Sequence, residues 1–415
     1  MVGRTALGSK IDSREAWLVT VAALAIASTC MGAPLVCTVA MKHVAADLGG
    51  YRSIPSAALS LAMLGTGIGG LAMGLLAERF GVRTVIMFGA TMVCAGLMLS
   101  AGGQAWQLYL GHGLLIGLLG NAAVHAPLYV YVARWFEARR GTAVALIASG
   151  QYLAGSLWPP IFERVVATYG WRQCMVGFGL FIVAVVLPLA MLFLRRPPEL
   201  VESEPGVGGA AGAGTVLGLP PNLVFAMLAV ASFLCCVPMA IPTAHLIAYC
   251  GDIGITATKG AAMVSVLLVT AFFSRQLWGW ISDRIGGLKT LLVGSAAQVA
   301  AMTCFLLTQD EAGLFAVAAA FGLGFSGLVP AYMLAIRQLF PAREASWRIP
   351  ALLLMAMAGM AAGSWSAGVI YDYAGYYAPA FASGIGSNLL NLGIVATLVL
   401  LWRRMSARAV VQHAT

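Results

Sequence analysis

Charged side chains are scarce in this 415-residue chain. Only 9% of its residues are Asp, Glu, Lys or Arg, whereas 60% are hydrophobic. A soluble domain contains roughly 25% charged residues, so the composition excludes an ordinary water-soluble fold. The chain also lacks Asp and Glu within the body of every long apolar run. An embedded cation would therefore find no acidic partner inside those runs.

Cysteine gives no sign of metal or disulfide chemistry. Nearly all of the eight cysteines lie inside apolar runs, and none has the spacing of a metal site. We interpret them as small buried hydrophobic residues. No nucleophile–base pair or metal cluster stands out either, so we expect neither an enzyme nor a bound cofactor.

Long hydrophobic runs are what the chain has in abundance. Twelve of them are long enough to cross ~30 Å of hydrocarbon, which takes about 20 helical residues. Helices are expected because lipid offers no hydrogen-bond partners, so a span must satisfy its own backbone groups, and the runs lack the alternation of barrel strands. The predicted spans are residues 16–41, 54–77, 84–103, 106–132, 142–166, 172–194, 222–249, 259–281, 288–308, 312–336, 347–370 and 377–402.

The net charge of +9 does not indicate nucleic-acid binding, because the basic residues are sorted by side of the membrane. We assign 18 of the 24 Lys and Arg residues to the side of both termini, five to the other side, and one, Arg275, to a span. The positive-inside rule then predicts cytoplasmic termini. The first run is too long for a cleavable signal and lacks a cleavage site. We expect a multi-pass protein in the lipid bilayer of the cytoplasmic (inner) membrane.

A repeated segment divides the chain into halves. In each copy an acid follows the first glycine by four residues, an arginine by five and a second glycine by seven. The copies are Gly74, Glu78, Arg79 and Gly81 with Arg83, and, 205 residues later, Gly279, Asp283, Arg284 and Gly286. A polar, Gly-rich stretch at 195–221 separates the halves 1–194 and 222–415, and we interpret it as a cytoplasmic linker.

The two copies resemble the loop 2–3 signature of the major facilitator superfamily and its weaker echo in loop 8–9. The resemblance covers nearly the whole chain. It implies an all-α integral membrane protein with 12 transmembrane helices in two six-helix bundles around a central cavity. It also implies that the bundles rock between inward-open and outward-open states around a midplane site, with the signature residues in the switch. Glu78 departs from the usual Asp of the family but keeps its charge.

A second signature narrows the resemblance to the monocarboxylate transporter and oxalate–formate antiporter group, whose members carry small organic anions. The resemblance lies in the loop 4–5 and fifth-helix pattern and in segments near spans six and eleven. These segments are Arg134-Trp135-Phe136, Arg139-Arg140-Gly141, Ser149-Gly150-Gln151, Gly170-Trp171-Arg172 and Tyr371-Asp372-Tyr373. We count Arg139 and Arg140 among the switch residues.

Arg275 is the most informative single residue. An ionised side chain at that depth costs at least ~2.5–3.5 kcal/mol, so it requires water, a partner or an anionic ligand. It lies four residues before Gly279, the register at which the group has an arginine that engages the substrate carboxylate. A guanidinium can hold a carboxylate by two parallel hydrogen bonds. The alternative is that Arg275 snorkels toward the cytoplasm.

Other polar residues of the spans are candidate substrate contacts. Asn121, His125 and Tyr129 are four residues apart and share one helix face, which indicates either a cavity wall or an interhelical hydrogen-bond network. His245 fits a ligand contact and a satisfied core histidine equally well. The remaining candidates are Gln151, Tyr152, Tyr249 and Tyr332.

Two departures from the group concern coupling and substrate charge. Animal monocarboxylate carriers have an Asp linked to proton coupling where this chain has Ala271, and span eleven lacks the Lys of the oxalate carrier. One embedded cation suits a monoanion. Coupling to protons would use a histidine, with His245 ahead of His125, the substrate carboxylate, or an acid at a span end. Those acids are Asp47, Glu163 and Asp252.

The sequence thus predicts a monomeric secondary active or facilitative transporter of a small organic anion, by symport, antiport or facilitated exchange. A proton-coupled exporter of drugs or metabolites is the first alternative. That class usually has an embedded acid, a fourth-helix Arg and a Gly-Pro motif in span five, which are lacking here. A non-transporting sensor is the second alternative, but it would need a longer tail or a soluble domain.

Overall fold

The computed structural model describes residues 11–137, 139–195 and 215–414, and these are helical almost throughout. A lone bridge joins Val216 to Leu219. In the first half the helices are Arg14–Met31, Ala33–Val39, Met41–Asp47, Ser53–Phe80, Val82–Ser100, Ala105–Leu110, the π-helix Gly111–Asn121, Ala122–Ala133, Arg140–Ala148, Gly150–Tyr169 and Trp171–Phe193. In the second half they are Pro221–Asp252, Ala257–Ile285, Gly287–Leu307, Glu311–Phe325, Leu328–Leu339, Ala342–Ala374 and Ala378–Ala414.

The helices form the predicted spans. Ten stretches of the described chain are long and apolar enough to cross a membrane, and an eleventh is bent by 50° between Gly70 and Ala72. The fifth span consists of two helices that meet at Ser149. The predicted all-α fold with twelve spans is confirmed, and most helix ends lie within a few residues of the predicted ends.

The two repeated segments end their helices in the same way. Gly81 follows the second span with a φ of 84°, and Gly286 follows the eighth span with a φ of 83°. Side chains rarely adopt this backbone region, so glycine is the residue that allows the chain to leave one helix and start the next within a single residue. This local geometry explains why the second glycine of each copy is a glycine.

Small residues bring the helices of the first half into close contact. The glycine-rich fourth span packs on the second and third spans, and a Cβ added at Gly117 would lie 2.6 Å from the carbonyl oxygen of Ala62. A Cβ on Gly96 would lie 2.7 Å from the carbonyl oxygen of Gly111. Close backbone approach of this kind is typical of helix packing in lipid.

The two six-helix bundles meet along three helix pairs. The second span packs on the eleventh, the fifth on the eighth, and the first on the seventh. We call the end of the molecule that holds Asp252 the Asp252 face and the opposite end the Glu78 face. The described hydrogen bonds and ion pairs between the bundles all lie between the Asp252 face and the depth of Arg275.

Candidate functional site

Arg275 lies where the two bundles meet. It is half-buried on the eighth span, and its Nη1 donates a hydrogen bond of 2.7 Å to the carbonyl of Ala148 on the fifth span. Its Nε is buried and has no hydrogen-bond partner among the described residues. The side chain therefore bridges the bundles instead of turning to the nearer end of its own helix.

The carbonyl of Ala148 is available because the fifth span is broken. One helix ends at Ala148 and the next begins at Gly150. The amide of Tyr152 donates to the carbonyl of Ser149 at 3.0 Å, instead of to the carbonyl four residues back as in a regular α-helix. A neutral carbonyl can accept from the guanidinium of Arg275, but it does not neutralise the positive charge.

Aromatic side chains lie near this charge. The ring centre of Tyr152, which is 5% exposed, lies 4.9 Å from Cζ of Arg275. The Tyr129 hydroxyl and His125 Nε2 are 2.9 Å apart, and the charge of Arg275 acts on both rings. The structure thus brings together four of the residues predicted from the sequence, from spans four, five and eight. We call Arg275, Tyr152, Tyr129 and His125 the central cluster.

Two further candidates lie on spans four and five without a described contact to Arg275. Gln151 precedes Tyr152 and is exposed. Asn121 is 3% exposed at the end of the π-helix, and its Oδ1 has no partner among the described residues. A buried amide oxygen without a donor is costly, and π-helical turns often occur at functional sites.

The remaining three candidates lie inside the second bundle, apart from the central cluster. His245 is fully buried; its Nε2 donates to the carbonyl of Ser364 at 2.8 Å, and its Nδ1 lies 3.0 Å from the Tyr377 hydroxyl. Because a carbonyl only accepts, Nε2 carries a proton and a neutral ring accepts at Nδ1. Tyr249 donates to the carbonyl of Thr308. The contact of either residue with a substrate stays a prediction.

Tyr332 belongs to a buried hydrogen-bond network of the second bundle. Its hydroxyl donates to Asn391 at 2.6 Å, and Asn391 in turn contacts Asn388 and Ser295. Asn388 extends the network to Gln298. The groups of this network satisfy one another, so its evident effect is to tie spans nine, ten and twelve together.

The predicted switch residues lie at the Glu78 face. Glu78 and Arg79 are exposed at the end of the second span, and a Cβ on Gly74 or Gly279 would meet no atom within 4 Å. The backbone amide of Arg139 donates to Asp12 at 3.2 Å.

Two arginines of the repeats contact their own bundles: Arg83, which closes the first copy, and Arg284, which follows the acid of the second copy. Nε of Arg83 donates to the carbonyl of Leu194 at 3.0 Å, and Arg284 stacks on Trp280, with Cζ 3.7 Å from the ring centre. The side chains of Asp283 and Arg140 lie outside the described part of the structure. The role of all these residues in switching stays a prediction.

Sequence reasoning missed a second charged group, at the Asp252 face. Arg52 is only 7% exposed and donates to both carboxylate oxygens of Asp252, while Lys42 lies 2.7 Å from the same carboxylate. Asp372 accepts from the backbone amides of Arg52 and Ser53 at 2.7 and 2.9 Å. We call Lys42, Arg52, Asp252 and Asp372 the inter-bundle ion cluster.

Arg52 is the centre of this cluster. Burial alone would lower its pKa, but its hydrogen bond to Asp252, with contributions from Tyr377, raises the pKa above the ordinary value. Cζ of Arg52 lies 3.6 Å from the ring centre of Tyr371. The only sequence signal was that two acids and two bases lie at span ends predicted to share one side of the membrane.

The described residues contain no group of three His, Cys, Asp or Glu side chains that could hold a metal ion. Two six-helix bundles that meet along paired helices, with a cation between them, are an architecture typical of membrane transporters built from internal repeats. The profile of the Major Facilitator Superfamily matches residues 16–344, and the chain belongs to that family. The family and the fold are those of transporters.

Similar proteins include transporters of fungi and animals. The MFS-type transporter pynF of Aspergillus niger is 26% identical over 402 residues, 95% of this chain and 91% of that protein. Monocarboxylate transporter 13 of Bos taurus is 26% identical over 327 residues, 78% of this chain and 75% of that protein. The agnestins efflux protein of Paecilomyces divaricatus is 28% identical over 259 residues, which are 62% of this chain and only 57% of that protein.

A solved structure shares the fold. A bacterial homolog to the human lysosomal transporter Spinster, in an inward-facing and occupied conformation, superposes with a TM-score of 0.69 at 14% identity. The match covers 93% of this chain and 96% of that chain.

Proposed function

We propose that this transporter moves a small organic monoanion, a monocarboxylate in the first instance, across the cytoplasmic membrane by alternating access. Arg275 is the observation that carries the proposal. Its charge lies between the bundles, its one described hydrogen bond goes to a backbone carbonyl, and its buried Nε has no described partner. Within the described residues no carboxylate forms an ion pair with it.

A carboxylate suits this place better than a cation or a neutral group. It supplies the missing charge and can accept two parallel hydrogen bonds from a guanidinium. Tyr152 limits the space on one face of Arg275, and the Tyr129 hydroxyl is a further polar group nearby. Because such an anion would compete with the Ala148 carbonyl for Nη1, its binding would also loosen the contact between spans five and eight.

The coupling histidine, where protons accompany the anion, is His125 in this proposal. Among the described residues His125 is hydrogen-bonded at Nε2 alone, whereas both ring nitrogens of His245 are engaged inside the second bundle. This reverses the order favoured by the sequence. The similarity to monocarboxylate transporter 13 supports a carboxylate cargo.

The orientation follows the positive-inside rule, with both termini and the Glu78 face in the cytoplasm. The bundles then touch on the outer side, which corresponds to an inward-facing conformation. Differential affinity of the anion for the states of the cycle is what drives the change between them.

Export of a small organic anion is a second candidate, because one relative is named an efflux protein. The direction of transport does not alter the site. It is decided by the gradients that the cell imposes and by whether protons move with the anion or against it.

Uptake into proteoliposomes tests the proposal. Radiolabelled lactate, pyruvate and benzoate are compared with the cation tetraphenylphosphonium, in the wild type and in Arg275→Ala. We expect a monocarboxylate to accumulate and Arg275→Ala to lower kcat/KM by about 10–150-fold, since a hydrogen bond to a charged group contributes ~1.5–3 kcal/mol. Arg275→Lys should restore little, because an ammonium lacks the planar fork.

The control is Arg337→Ala, which removes an exposed base at the end of span ten. It should transport like the wild type. Unchanged carboxylate uptake by folded Arg275→Ala, or accumulation of the cation alone, would reject the proposal.

A further inference from the structure

The inter-bundle ion cluster is divided by charge between the two bundles. Both cations, Lys42 and Arg52, belong to the first bundle, and both carboxylates, Asp252 and Asp372, belong to the second. The cluster therefore exists only while the bundles touch at the Asp252 face.

Arg52 takes its described side-chain partners from the second bundle alone. These are the carboxylate of Asp252 and the rings of Tyr371 and Tyr377, the latter 5.2 Å from Cζ. Lys42, whose side chain is 38% exposed, lies against Gly251, beside Asp252. Separation of the bundles at this face would leave two adjacent cations on one wall without these counterions.

The geometry around Asp252 is that of a bound carboxylate. One oxygen accepts from Lys42 at 2.7 Å and from Nη2 of Arg52 at 2.6 Å, and the other accepts from Nη1 of Arg52. Two oxygens on a guanidinium fork with an ammonium beside them form a recognition pattern that any small carboxylate can fill.

We propose that Lys42 and Arg52 form a second carboxylate site, filled by Asp252 in this conformation and by the transported anion once the bundles part at the Asp252 face. The inference rests on the proposed function for the identity of that anion. The site would receive the anion from the side opposite to the Glu78 face. Return of Asp252 would then displace the anion toward the interior, where Arg275 lies.

Chemical rescue by acetate tests the site without knowledge of the cargo. Asp252→Ala removes the internal carboxylate and leaves Lys42 and Arg52 facing a gap. Its melting temperature is measured in sodium acetate and in sodium chloride at equal ionic strength. We expect acetate to raise it saturably by about 2–4 °C or more, because a ligand that binds only the folded state stabilises it. Asp252→Ser is the second variant in case Asp252→Ala does not fold in chloride.

Three comparisons locate the effect. The acetate shift should be smaller in the wild type, where Asp252 fills the site and acetate can bind only at the central cluster, and it should fall to the wild-type value when Lys42→Gln is added to Asp252→Ala. It should persist in Asp252→Ala/Arg275→Ala, which excludes binding at the central cluster. Equal melting temperatures of Asp252→Ala in acetate and chloride, or loss of the shift with Arg275→Ala, would overturn the inference.

Uptake from the Asp252 side tests the role in transport. Lys42→Gln should raise KM for a transported monocarboxylate about tenfold and change kcat less, because it weakens capture. Arg172→Gln breaks an ion pair at the same face within one bundle and should leave KM unchanged. An unchanged KM in Lys42→Gln would reject the transport role. Acetate rescue without any carboxylate uptake by the wild type would instead reject the proposed function and leave the site standing.

Discussion

At the scale of the residue, the central question is how a membrane-embedded arginine is stabilised without an acid. Arg275 uses a carbonyl released by a helix break and the face of an aromatic ring. Both interactions favour a positive charge, and neither cancels it. Arg275 therefore still attracts an anion. An internal carboxylate in a salt bridge with it would have neutralised this charge.

Tyr152 allows this description to be tested. Tyr152→Phe keeps the ring face over Arg275 and should leave substrate affinity within about twofold of the wild type. Tyr152→Leu removes the π-face and should weaken affinity roughly 2–30-fold, which corresponds to the ~0.5–2 kcal/mol of a cation–π contact. Tyr169→Leu, at an exposed position near the end of span five, is the control. Normal affinity in Tyr152→Leu would show that the ring does not orient Arg275.

At the scale of the element, the informative features are helix ends and breaks. The broken fifth span supplies a carbonyl to Arg275, and the glycine turns after spans two and eight repeat one geometry in both halves. The start of the second span is capped from the other bundle, because Asp372 accepts from the amides of Arg52 and Ser53. A helix cap is usually local; here it joins the bundles.

Removal of this cap should change the balance between conformations. Asp372→Asn replaces one of the two accepting oxygens by an NH2 group, which removes about one hydrogen bond of ~0.5–1.5 kcal/mol and should shift the equilibrium roughly 2–13-fold toward separation at the Asp252 face. Distances between spin labels on spans two and eleven would report the shift.

Asp310→Asn is the matched control for the cap. Asp310 caps a helix of its own bundle by accepting from the amide of Gly313 at 2.7 Å. Its replacement should lower stability without lengthening the label distances. Identical distance distributions in Asp372→Asn and the wild type would mean that the cap does not hold the bundles together.

At the scale of the whole molecule, the sequence predicts the architecture well and the interface between the bundles poorly. The lengths of the hydrophobic runs predict twelve spans, because each helix must by itself be long enough to cross the bilayer and must satisfy its own backbone hydrogen bonds. Helical spacing likewise predicts that His125 and Tyr129 share a face, and a resemblance in register singles out Arg275. These are properties of one helix at a time.

The interface depends on how helices far apart in the chain are placed against each other. The pairing of Arg52 with Asp252 joins residues 200 positions apart, and nothing in either local sequence specifies its partner. The break at Ser149 is equally hidden, because neither proline nor an unusual run of glycines marks it. These two features can be identified only from the packed structure of the bundles.

Close approach of the bundles at Gly155 provides a test of the whole arrangement. Gly155 of span five faces Leu268 of span eight, and a Cβ added there would overlap Cδ1 of Leu268. Alanine could be accepted by rotation of Leu268, but the branched side chain of Gly155→Val should force the bundles apart on this side. Transport should fall at least about tenfold, because the conformation described here would become strained. Spin labels on spans five and eight should show a longer distance.

Leu268→Ala removes the Cδ1 atom that the valine side chain would overlap. Gly155→Val/Leu268→Ala should therefore regain transport and the shorter distance between the labels on spans five and eight. Gly177→Ala, at a position with no atom within 4 Å of the added Cβ, should behave like the wild type. The double variant separates a steric effect at the interface from general loss of stability, since it should be no more stable within its bundles than Gly155→Val. Full transport by Gly155→Val alone would mean that spans five and eight do not need to close to this distance, and that the contact between Arg275 and Ala148 is dispensable for the cycle.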